Sequence, residues 1–109
     1  MAYDESVAQR IRGLIDPALP VAEKRMFGGL AFMHRGHMFI GVVKSELMVR
    51  VGPDAYQECL SLPHARPMDF TGKPMKGFLY VGDTHRLPDE ALRGWLQRGL
   101  RFVASLPPK

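Results

Sequence analysis

The residues of this 109-residue chain that could do chemistry are few and scattered. His34 and His37 flank a glycine-containing turn and could meet across it, and two imidazoles are the beginning of a metal site. Such sites normally need three or four ligands, and His85 would join only if the fold brought its loop close. The pair is therefore read as solvated turn histidines, and no metal is expected. Cys59 is the single cysteine, so an intrachain disulfide and a zinc site of several thiolates are both excluded. It falls on an apolar helical stripe, as a core residue does. Neither Cys59 nor Ser45 has the neighbouring base and orienting group that a nucleophile requires. Asp4-Glu5 and Asp89-Glu90 stand at helix starts, where a carboxylate favours the positive end of the dipole, so neither pair is read as acid and base. Gly28-Gly29 suggests a phosphate loop, but those fingerprints run from a strand through a set glycine spacing into a helix. Here more strand follows, and the pair is read as a bulge or a close backbone approach that leaves no room for a branched side chain at Gly29. No catalytic residue is assigned and no cofactor is expected.

Charge is the remaining resource. The net charge of +4 is uneven, with eight Lys or Arg against five Asp or Glu in residues 55–109 and seven against six in residues 1–54. No acid follows Glu90, while Arg93, Arg98 and Arg101 lie on the last helix, opposite its apolar side. An anionic partner, nucleic acid included, would be sought first at these three. Two features are missing: aromatic residues between the arginines, on which single strands stack, and a helix-turn-helix pattern that presents a helix to a groove. The arc is expected to be exposed and at most a weak, sequence-independent binder of nucleic acid. The seven methionines gather mainly at Met26, Met33, Met38, Met48, Met68 and Met75, where thioethers fill an irregular core or line an adaptable surface.

These residues must be positioned by local elements. Val7, Ile11, Leu14 and Ile15 recur at helical spacing behind Asp4, Glu5 and Ser6, which can cap a helix over 6–15. From Arg25 to Val51 the period falls to two. Met38, Ile40 and Val42 share one face, as do Leu47, Val49 and Val51, which predicts three strands joined at His34-Arg35-Gly36 and at Lys44-Ser45. Gly52-Pro53-Asp54 opens a short helix carrying Tyr56, Cys59 and Leu60. Met68 to Phe70 and Phe78 to Val81 are read as two further strands about a turn at Thr71-Gly72-Lys73-Pro74. Pro88 and Asp89 start a final helix whose Leu92, Trp95, Leu96, Leu100 and Val103 form its apolar side. The order α-β-β-β-α-β-β-α, without regular strand–helix alternation, predicts an α+β fold on an antiparallel sheet. Gly99, inside the apolar arc of the last helix, asks for close packing, either against the chain's own sheet or in a homodimer.

A chain of this length makes one domain, over residues 1–109, with one core. No stretch approaches the roughly 20 apolar residues that span a bilayer, and the start lacks the pattern of a secretory signal. With a lone cysteine, a reducing cytoplasm is the expected location.

Arg25-Met26-Phe27-Gly28-Gly29-Leu30-Ala31-Phe32, followed by Gly36-His37-Met38-Phe39, resembles the signature of the TfoX N-terminal domain family, Met26 to Gly29 being its core. The likeness continues through Leu47-Met48-Val49-Arg50 and Met75-Lys76-Gly77-Phe78 to the helix bearing Trp95, and so covers most of the chain. It implies an α+β arrangement similar to secretion chaperones. In the competence regulators that name the family such a domain precedes a separate C-terminal one, so the resemblance implies the module and leaves the pathway open. The function expected is a non-catalytic regulatory or protein-interaction module with an unidentified protein partner. A nucleic-acid-binding module and a small enzyme are the alternatives.

Overall fold

The computed structural model describes residues 3–26, 28–67 and 77–107. Helix α1 (Glu5–Leu14) starts where the Asp4 carboxylate accepts the Ser6 amide N–H at 2.9 Å, and buries Val7, Ala8 and Ile11. Four strands follow: β1 (Ala22–Met26), β2 (Gly29–His34), β3 (His37–Val43) and β4 (Glu46–Arg50). After α2 (Tyr56–Leu60) come β5 (Ala65–Pro67) and β6 (Phe78–Val81), a 3-10 turn over Thr84–Arg86, and α3 (Asp89–Ala104). The strands pair antiparallel throughout in the order β1-β2-β3-β4-β6-β5. The fold is α+β, as expected.

The region expected to hold three strands holds four. Gly28, at φ +72°, turns the chain back between β1 and β2, so that Met26 pairs with Gly29. Strand β1 escapes pattern reading because Ala22, Glu23, Lys24 and Arg25 are all exposed, and a charged edge strand has no inward face to alternate. At the other edge is β5, where Pro67 removes no ladder bond that a central strand would need. Helix α2 begins at Tyr56, later than the Pro53-Asp54 signal suggested, and buries Tyr56 and Cys59. The expected strand over Met68 to Phe70, the turn over Thr71 to Pro74, Met75-Lys76 and the signature residue Phe27 lie outside the described residues.

One face of the sheet carries Leu30, Phe32, Ile40, Val42, Leu47, Val49, Leu79 and Val81 into a core shared with α1 and α3. A bulge interrupts its register: Phe32 pairs with Ile40, but Met33 pairs with Met38, which leaves Phe39 as the extra residue. Phe39 and Ile40 consequently both join the core, and Met38 moves to a second cluster with Ala31 and Met48. Met38 therefore does not share the face of Ile40 and Val42, because an inserted residue shifts the alternation by one.

The same bulge explains Gly99. A side chain there would run into the backbone carbonyl of Phe39, and glycine lets α3 settle on β3 at that point. The close packing that Gly99 demands is thus met within the chain, and the glycine gives no argument for a second copy. Gly29 has the same relation to the Val42 carbonyl across β2 and β3, which makes it the expected close approach.

Candidate functional site

Helix α3 is seated from two sides. Its Leu92, Trp95, Leu96 and Val103 are buried against the sheet, and its start is held by α1. The half-buried Arg10 guanidinium donates to the carbonyls of Thr84 at 2.8 Å and Leu87 at 2.6 Å, and pairs with Asp89 at 3.0 Å. This clip fixes the Leu87-Pro88 corner, across from the Leu62-Pro63 turn that ends α2.

Between the two corners runs an apolar groove of about 420 Å³, walled by Leu62, Pro63, Leu87 and Pro88, with Ala91, Gly94 and Trp95 along its helical side. The short side chains at Ala91 and Gly94 keep that side open. Glu90 stands at one end and Arg98 at the other, two helical turns or roughly 12 Å along the axis. Arg98 lies over the Trp95 ring, 5.0 Å from its centroid, and a side chain at Gly94 would crowd its Nη1 at 3.1 Å. The stacked guanidinium covers the indole with its face, a geometry that leaves its edge for hydrogen bonding.

The expected basic arc is only partly realised. Arg93 and Arg101 are exposed, but Arg98 is half-buried on Trp95. At about 100° per residue Arg93 and Arg98 project roughly 140° apart, on opposite flanks of the helix. Arg98 and Arg101 do come together: both line a second recess of about 270 Å³ with Val51, Asp54, Ala55 and Phe102. Arg98 thus borders both concavities, and Arg93 borders neither. The groove was not foreseen, although Leu62-Pro63 and Leu87-Pro88 carried a signal: two leucines outside every helical or strand stripe, each fixed by a following proline.

The histidines are dispersed. His34 is half-buried, and its Nδ1–H donates to the Pro20 carbonyl at 2.9 Å. His37 is not a solvated turn residue: it is buried, its Nε2–H donates to the Pro107 carbonyl at 2.7 Å, and its Nδ1 has no partner among the described residues. Its strand side chain is enclosed once the chain following α3 passes over it. His85 meets Asp4 at 3.1 Å, and His64 meets Asp83 at 3.0 Å. The Asp4 carboxyl is held below its ordinary value by the Ser6 hydroxyl above all, with burial opposing and His85 adding to the effect. Among the described residues no three His, Cys, Asp or Glu side chains converge. Burial pushes the Cys59 thiol up, against the pull of the Arg98 charge, so the thiolate of a nucleophile is disfavoured there. No helix of the described residues is long and apolar enough to cross a membrane.

The family model of the TfoX N-terminal domain matches residues 14–103, most of the chain, from the end of α1 to within the last turn of α3. No curated protein and no solved structure matches it.

Proposed function

The chain belongs to the TfoX N-terminal domain family, and from that premise we propose a non-catalytic, competence-regulator-like module that works in the cytoplasm by docking an apolar segment of a partner protein beside α3. The observation that carries the reading is the groove between Leu62-Pro63 and Leu87-Pro88, with Arg98 stacked on Trp95 at its end. Its volume is within the range of sites that take a ligand or a few side chains. Its walls are apolar, so affinity comes from burying apolar side chains, and an acidic residue of the partner meets Arg98. Buried or clipped elements hold every wall, so little ordering is left for the moment of binding.

Selection of peptides from a random display library tests this. Wild-type protein should enrich segments with two or three apolar residues next to Asp or Glu, and Ala91→Lys, which fills the groove from the half-exposed side of α3, should abolish their binding. Peptides that bind the Ala91→Lys protein equally well would reject the groove. Binding of DNA or RNA probes at submicromolar Kd, lost on replacing Arg98 and Arg101 with Glu, would replace the reading with the nucleic-acid one.

A further inference from the structure

A third concavity, about 420 Å³ like the groove but polar, lies where the β3–β4 turn, the start of β5 and the end of β6 meet, and we propose that it binds a phosphate group through Lys44 and His64. Three observations support this independently of the groove.

The first is the backbone. Among the described residues, four that are not glycine have φ in the left-handed region, and three of these line this one cup: Lys44 at +54°, His64 at +70° and Asp83 at +51°. Elsewhere the chain meets the same demand with glycine, at Gly28, Gly36, Gly52 and Gly77. Asp and His tolerate this conformation better than most side chains, but lysine does not, and the first position of a two-residue hairpin turn such as Lys44-Ser45 is where glycine is favoured. A lysine kept in a glycine position points to a use for its side chain.

The second is the charge balance on every wall. From β4 Glu46 is bound by both Nη atoms of Arg66 on β5, and that guanidinium also covers the Tyr80 ring at 4.9 Å. After β6 the Asp83 carboxylate holds Nδ1 of His64 at 3.0 Å. Asp4, which precedes α1 beside the Lys44 backbone, is engaged by Ser6 and His85. Each acid therefore has its base. The Lys44 ammonium has no ion pair or hydrogen bond among the described residues. The bond to Asp83 turns Nε2 of His64 away from that carboxylate, and in the imidazolium form Nε2–H is a second donor for an anion.

The third is rigidity. The Asp4 amide donates to the Lys44 carbonyl at 2.6 Å, the buried Thr84 hydroxyl to the Ser45 carbonyl at 2.6 Å, and the Gly82 amide to the His64 carbonyl at 2.9 Å. Each wall is tied to another element, so the backbone that carries the two side chains is held in place before a ligand arrives. Gly82 gives the depth: a side chain there would reach the Glu46 and Arg66 head groups at 3.5 and 3.7 Å.

Titration of the full chain with inorganic phosphate, glycerol 3-phosphate and acetate, followed by amide chemical shifts, tests the proposal. Phosphate shifts are expected at Lys44, Ser45, His64, Gly82 and Asp83, with acetate weaker. A preference for glycerol 3-phosphate over inorganic phosphate identifies a small-molecule monoester as the ligand, and equal affinity identifies free phosphate. Lys44→Gly and His64→Asn, both compatible with the left-handed backbone, should each weaken binding at least about tenfold. Lys44→Gly should do so while the melting temperature stays level or rises, which a purely structural lysine would not show. Shifts confined to Arg93 and Arg101, undiminished affinity in Lys44→Gly, or no saturation by about 20 mM phosphate would overturn the site.

Discussion

The groove beside α3 and the cup at the end of β3 to β6 are equal in volume and built by opposite means. The groove lies between two proline corners along one side of a regular helix. No left-handed non-glycine residue lines it, its helix is seated on the core, and its arginine rests on an indole. The cup is made by turns. Lys44, His64 and Asp83 hold backbone conformations that glycine would hold more cheaply, and hydrogen bonds between loops keep them there. Substitutions under the groove should therefore cost stability, whereas some substitutions in the cup should return it.

The sharpest test of that contrast is the seat of α3. Gly99→Val drives two methyl groups at the Phe39 carbonyl and must lift the helix, for an expected loss of about 3 kcal/mol or more in urea unfolding. Gly29→Val, opposed to the Val42 carbonyl at the end of β2, should lose less, about 1–3 kcal/mol. An unchanged midpoint for Gly99→Val would mean that α3 is not rigidly seated, and the contrast with the cup would fail.

In the cup, Thr84→Val keeps the shape but removes the donor to the Ser45 carbonyl, at an expected cost of about 1–2 kcal/mol. Lys44→Gly should instead gain up to ~1 kcal/mol, the relief of the left-handed strain being partly offset by glycine's freedom in the unfolded chain. A loss of stability in Lys44→Gly would place the cup in the same class as the groove.

The smallest effect concerns a surface pair belonging to neither region. Arg12 donates to both oxygens of Glu23 and holds its carboxyl below the ordinary 4.5, with burial opposing. The folded chain then takes up this proton less readily than the unfolded one. The contribution is complete above that value and is lost as the pH falls through the lower folded one. Glu23→Gln should flatten the acid limb of a stability profile measured from about pH 5 downward, by a few tenths of a kcal/mol, since each side chain of the pair is roughly a third exposed. A change above about 1 kcal/mol would show that this surface pair matters as much as the cup's internal ties.

What the sequence disclosed follows the same division. Helices α1 and α3 were legible because one face of each meets a core, and β4 because its alternation is unbroken. Strand β1 was not, since Ala22, Glu23, Lys24 and Arg25 are all exposed and leave no apolar alternation to read. In β3 the alternation was legible, but its phase was not: Phe39 is one apolar residue among several, and only the pairing partner shows that it is inserted. Arg93, Arg98 and Arg101 were found as charges, yet the stacking that separates Arg98 from Arg93 depends on the depth of Trp95. The cup draws on turns as far apart in sequence as Lys44 and Asp83, and its trace is chemical rather than periodic. Charged residues stand where turn geometry would choose glycine.

Phe39 also bears on changes of chain length. A substitution scan would register only its size, as for any buried aromatic. Deleting it would restore strict alternation to β3 with Ile40 still opposite Phe32 and Met38 still opposite Met33, so neither would change face. What would be lost is the Phe39 carbonyl on which α3 settles at Gly99. His37 and Arg35, on the tip side of the bulge, would keep their faces and with them the Pro107 and Ala104 carbonyls, the two bonds by which the hairpin holds the chain at and beyond the end of α3. Position 39 is thus a spacer: the pairing of β2 with β3 can do without it, and the seat of α3 cannot.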